Sequence, residues 1–235
     1  MNQTTGEQLL TRIRERAHWR FLIEPNGDDL AFGTRGDARD ALQQASVRLR
    51  GWDFPHFDQN GSHGAGGGNR PVESGWESWT EFYDLETCRI YQSGQFIQYA
   101  TLHEDSDREG WGPRGARGPF LDFVSTIWHI TEFVEFARRL TALGSYGNGV
   151  NLSVQLSKVS GRHLTAEIQR GLFSNYACDE DQIRWRGDAT VEQLSVSSPD
   201  IAREAVRNLF EWFRFETDDS VIAEVQSQLL ERRFR

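Results

Sequence analysis

The sequence predicts an α+β domain: a mixed, largely antiparallel sheet with helices packed on it, ending in a two-helix C-terminal hairpin. Three observations predict this. Strand-like runs at 76–83, 87–91 and 95–102 are separated only by Asp84-Leu85-Glu86 and Ser93-Gly94, and connections this short join antiparallel neighbours. Apolar residues recur at helical spacing near the start, the middle and the end of the chain. No internal repeat and no linker-like stretch divides the 235 residues, so one domain is expected over 1–235.

In chain order, Thr4 or Thr5 caps a first helix running to about Arg16, with Leu9, Leu10 and Ile13 on one face. Residues 18–24 read as a strand, stopped by Pro25-Asn26-Gly27-Asp28. Residues 37–45 read as a short helix with Ala38, Ala41, Leu42 and Ala45 inward. Val47 and Leu49 then alternate with Arg48 and Arg50, the period of a strand with one buried face. That strand ends in a corner, Gly51-Trp52-Asp53-Phe54-Pro55-His56-Phe57-Asp58, where Trp52 and Phe54 are expected to bury.

Residues 60–71 form a glycine-rich surface loop without the GK[ST] ending or strand-to-helix context of a phosphate-binding loop. A second loop rich in Gly, Pro and Arg spans 110–119. The apolar run 120–130 is rich in β-formers and reads as a strand, and a helix opens at Thr131 and stops at Gly144. Val150, Leu152, Val154 and Leu156 alternate as a strand, while 161–188 mixes strand and loop signals. Ser198-Pro199-Asp200 is a helix start, and Asp218 or Asp219 caps a last helix with Ile222, Val225, Leu229 and Leu230 inward.

Composition bounds the function. Aromatics make up 12% of the chain, with 8 Trp and 15 Phe, enough to fill a large core despite a polar average. A net charge of -9 disfavours nonspecific nucleic-acid binding. Lys158 is the only lysine, so the positive charge is nearly all arginine, which suits planar bidentate partners. Cys88 and Cys178 are too few for a cysteine zinc site and indicate a reducing compartment. No signal-like or membrane-spanning run is visible, so a cytoplasmic, membrane-independent protein is expected.

Three segments carry a resemblance: Leu49-Arg50-Gly51-Trp52-Asp53-Phe54-Pro55-His56, Tyr91-Gln92-Ser93-Gly94-Gln95-Phe96 and Thr131-Glu132-Phe133. They resemble a bacterial region C-terminal to Schlafen-like AlbA_2 domains, themselves associated with nucleic-acid and ATP binding. The resemblance runs in order through about residues 18 to 230. The AlbA_2 module itself is not visible, so its chemistry does not transfer. The resemblance implies a companion domain of a regulatory or defence-related kind and supplies no catalytic residue.

The residues favour a non-catalytic binding or regulatory domain that recognises a protein partner or an anionic or nucleotide ligand. Arg50, Trp52, Asp53 and His56 are the expected ligand-binding residues at the corner, with Arg114 and Arg117 from the second loop, and no cofactor is expected. The alternative is a metal-dependent hydrolase or nuclease using Asp53, His56 and Asp58, with His63, Glu77, Glu81 or His103 as further ligands, although no HExxH spacing is present. Ser93 lacks the nucleophile-elbow context, and Cys88 lies in a strand, where a buried structural thiol is expected.

Overall fold

The computed structural model describes residues 5–57, 67–81, 84–105, 119–165 and 176–232. The chain opens with helix α1 (Gly6–Arg14), where Thr5 and Gln8 form a reciprocal capping box. Strand β1 (His18–Pro25) and helix α2 (Arg35–Ala45) follow as expected, with Ala38, Ala41, Leu42 and Ala45 all buried. The meander is β2 (Gly68–Val72), β3 (Gly75–Thr80), β4 (Glu86–Tyr91) and β5 (Phe96–Thr101). After a short 3-10 turn come β6 (Phe120–Asp122), helix α3 (Phe123–Leu143), β7 (Val150–Ser157), β8 (His163–Thr165) and β9 (Gln182–Ala189). Helices α4 (Val191–Glu211) and α5 (Asp219–Leu230) close the described chain as a C-terminal pair.

The main sheet has seven strands in the order β2-β3-β4-β5-β1-β7-β9, and every pairing in it is antiparallel. Parallel pairing is confined to the small β6–β8 ladder, so the α+β architecture holds and the main sheet is not itself mixed. Strand β1 lies between β5 and β7, and Phe21 is in register with Gln98 on one side and Val154 on the other. Helices α2 and α3 pack together on one face of the sheet, and α4 packs on α3 and β9. Helix α1 covers β3, β4 and β5 from the opposite face, where Leu9, Ile13 and Leu85 form a separate small core. Among the described residues no helix is long and apolar enough to cross a membrane.

Four expectations change. Residues 46–50 are not a strand; Val47 and Phe54 exchange both backbone hydrogen bonds at 2.8 Å as an isolated bridge, and Gly51, at φ 94°, turns the chain between them. Val47 and Leu49 are still buried, so the alternation reported burial and not a ladder. The run 120–130 is a strand for three residues only. Asp122 then accepts a hydrogen bond from the Ser125 amide at 2.7 Å and starts α3, which is apolar almost all round because the sheet, α2, α4 and α5 enclose it.

The third change lies in α4, which starts at Thr190 with a Gln193 capping box, well before Ser198. The Ser198-Pro199 signal does start a helical segment, the second of two that α4 joins: Ser197 leaves helical geometry (φ -128°, ψ 21°), and the helix resumes with Pro199, which has no N–H to donate, in its first turn. In α5, Leu230 points outward, and the buried Gln226 takes an inward position. Its amide donates to Thr131 Oγ1 at 3.1 Å and to the Pro199 carbonyl at 3.2 Å.

Candidate functional site

The corner at 47–57 divides its polar groups between two sides. Asp53 turns outward and takes a two-point contact from the Arg48 guanidinium. That contact holds the exposed Arg48 guanidinium above its ordinary pKa through the direct hydrogen bond. Arg50 turns inward and donates from Nε at 3.0 Å and Nη2 at 2.5 Å to Glu132 Oε2 on α3. Trp52 is 54% exposed, contrary to expectation, with the Arg50 guanidinium 5.1 Å from its ring centre. Phe54 is buried against Phe21 and His129, as expected. His56 contributes its backbone N–H, which donates to Glu86 Oε1 at 2.9 Å.

Arg50 and Asp53 therefore engage different partners, Glu132 on α3 and Arg48 within the corner. Asp58, His63, Arg114 and Arg117 lie outside the described residues. Among the described residues no group of three or more His, Cys, Asp and Glu side chains is arranged to hold a metal ion. Cys88 is a free, buried thiol pushed well above its ordinary pKa by burial, the structural role its strand position suggested.

The structure gathers a different polar set around Arg50. The sheet supplies Glu86 at the start of β4 and Gln98 on β5, whose amide donates to Glu86 Oε1 at 2.6 Å. Helix α3 supplies His129 and Glu132, three residues apart on one face. Just outside the sheet, His103 and Asp84 are joined at 3.1 Å through the imidazole Nδ1. The His129 ring lies among aromatics, 5.2 Å from Phe21, 5.4 Å from Phe54 and 5.6 Å from Trp19.

The electrostatics follow from this crowding. Burial pushes the Glu86 carboxyl up to about 7, and the nearby Asp84 and Glu132 carboxylates add to the rise against the two hydrogen bonds it accepts. Burial raises Glu132 as well, with Arg50 opposing it. His129 is driven well below its ordinary pKa, first by burial and then by the positive charges of Arg50 and His103. The Asp84 hydrogen bond moves His103 the other way, to a raised pKa. Glu86 and His129 are both half-buried.

Three acceptors in this region are buried and accept no hydrogen bond: Glu132 Oε1, Gln98 Oε1 and Asp84 Oδ1. Each such unmet group costs about 1–3 kcal/mol. The cluster thus combines aromatic neighbours, a guanidinium already committed to a carboxylate, and unmatched acceptors. Of these residues the sequence singled out Arg50, with His56 for its side chain, and gave His103 as a metal ligand. The signal for the others is a histidine and a glutamate three apart inside an apolar run, since His129 and Glu132 break an otherwise hydrophobic stretch.

No family model, curated protein or solved structure matches this chain.

Proposed function

We propose that the chain is a non-catalytic binding or regulatory domain and that its ligand enters a recess beside Arg50, Glu86, Gln98, His129 and Glu132. The ligand is a small neutral or cationic molecule carrying N–H or O–H donors. The observation that carries this is the pair of fully buried, unmatched acceptors, Glu132 Oε1 and Gln98 Oε1, on side chains bonded to Arg50 and Glu86 respectively. An anion or nucleotide phosphate, the ligand suggested by the arginines alone, suits this space less well. Glu132 already balances Arg50, and Asp84 and Glu86 add negative charge. A reducing, cytoplasmic setting belongs to the same proposal and is supported by two free, buried thiols. So does a companion role beside an AlbA_2-type module in a bacterial, defence-related system, which rests on the three quoted motifs.

Thermal unfolding of the full chain with agmatine, adenosine and inorganic phosphate, each added separately, tests the ligand class. A donor-bearing compound at a hundred times its Kd stabilises the fold by about 2.7 kcal/mol, a rise in Tm of roughly 5–11 °C. The rise is expected from agmatine or adenosine and is expected to disappear in Glu132→Leu. Stabilisation by phosphate alone, or by none of the three, would overturn the proposal. A second reading, acid–base hydrolysis, is favoured by one observation: Glu86 titrates at about 7 near the His103–Asp84 pair, a poise suited to proton transfer. Turnover of a bound compound that Glu86→Gln abolishes without weakening binding would select it.

A further inference from the structure

The outer edge of β9 is unlike the rest of the molecule. It ends the main sheet, and among the described residues no strand pairs with its outer side. Ile183 and Trp185 point into the core, while Arg184 and Arg186 point to the opposite face and are exposed. On that face α1 covers β3, β4 and β5, and Leu22 and Ser153, in the row of Arg186, are buried, so the exposed part is the β9 rim itself. Many other arginines are tied to carboxylates, as at Arg70, Arg89 and Arg162, although among the described residues Arg14 and Arg232 bond only a tyrosine hydroxyl and a backbone carbonyl. Among the described residues Arg184 and Arg186 have no carboxylate partner, and neither does Arg20, in line with Arg184 across Gln155. An independent sign of positive potential lies at the near end of this face, where Arg14 and Lys158 both push the His18 pKa down, adding to the larger effect of burial.

We infer that the β9 edge takes an extended acidic segment of a partner polypeptide, added to the sheet as an eighth strand. In a strand, alternate residues lie about 6.6–6.8 Å apart on one face. Acidic residues at alternate positions of an added strand therefore fall beside Arg184 and Arg186 while the two backbones hydrogen-bond. Asp188 continues the same face, so the segment carries a neutral or basic residue at that end. A second copy of β9 is the competing occupant: an antiparallel register centred on Trp185 sets Arg184 against Arg186 twice, whereas one centred on Arg186 sets Arg186 against itself between two Arg184–Asp188 pairs. Nucleic acid is disfavoured because Tyr99, in register with Arg20, already bonds Arg14 and Arg20 and is not free to stack a base.

The test is an NMR titration of the labelled full chain at low salt with two short synthetic peptides, one alternating glutamate with valine and one with lysine in place of glutamate. The glutamate peptide is expected to shift β9 amides and slow exchange at every second one, and the lysine peptide to do neither. The double variant Arg184→Glu/Arg186→Glu, checked for folding by circular dichroism, should weaken the glutamate peptide at least about tenfold and gain the lysine peptide. No shift at β9 up to millimolar peptide would overturn the inference, and self-association of the charge-reversed variant would then show that the arginines only keep the edge apart. Tighter binding of oligothymidylate at the same face would overturn it in favour of a nucleic-acid surface.

Discussion

Removing the Arg50 guanidinium tests the interior on which the recess depends. Glu132 is 0% exposed and the Arg50 side chain 12%, so Arg50→Ala leaves a carboxylate sealed from water with no counter-charge. A broken buried pair costs about 3–5 kcal/mol if the survivor stays charged. Glu132 avoids that limit by taking up a proton. Its pKa is already raised in the folded wild type and rises further in the variant, so the penalty follows the difference between folded and unfolded pKa. Between an unfolded value near 4.5 and neutral pH lie about 2.5 units at about 1.4 kcal/mol each, an upper bound near 3.4 kcal/mol. Part of that rise is present in the wild type, so the cost at neutral pH lies below that bound, which corresponds to a fall in Tm of less than roughly 14 °C.

The sign is fixed by the chemistry. A carboxyl whose folded pKa is raised contributes stability that is complete below the unfolded value and lost as pH rises through the folded one. The cost of Arg50→Ala is therefore largest above neutrality and shrinks toward about pH 5. Urea unfolding of wild type and variant across that range measures it, and adding Glu132→Gln to the variant should remove the pH dependence. A cost below about 1 kcal/mol that does not change with pH would refute the claim that Arg50 is the buried partner of Glu132.

Glu86 gives the companion prediction. With its carboxyl raised to about 7, the wild type should lose about 3 kcal/mol from this group between pH 4.5 and 7, and Glu86→Gln should flatten that part of the pH–stability curve. Superimposable curves for the two proteins would contradict the assignment. Gly149 holds a left-handed turn at φ 78°, and a Cβ there would sit 2.4 Å from the Ala189 carbonyl oxygen. Gly149→Ala should cost at least about 1–3 kcal/mol, read as a lower Tm, and an unchanged Tm would show that the β7–β9 junction relaxes freely.

Much of the fold was legible because much of it is local. The β3–β5 meander and the inner stripe of α2 follow from period and turn chemistry within a few residues. The errors arose where an apolar pattern had more than one solution. Val47 and Leu49 alternate like a strand but pair only through one bridge, and the run into α3 is apolar because helices surround it, not because it is β-structure. The site was legible only in part. Arg50 stood out by its motif, but its carboxylate lies 82 residues away on another layer, and Glu86 lies 30 residues from the His56 amide that it accepts. Nothing in local spacing encodes such partners. Trp52 was misplaced for a related reason: its contact is the guanidinium beside it, which leaves the indole in solvent.

The position of β1 has a consequence for assembly. The strand made first sits in the middle of the sheet, and both of its neighbours come much later in the chain. The β2–β5 meander can close on itself, but β7 and β9 have no route to it except through β1. Synthesis must therefore keep that greasy ribbon, with Trp19, Phe21 and Ile23, from wrong partners until the later strands emerge. Cutting it away would leave two small sheets facing each other with raw edges, and the aromatic wall behind His129 would be gone.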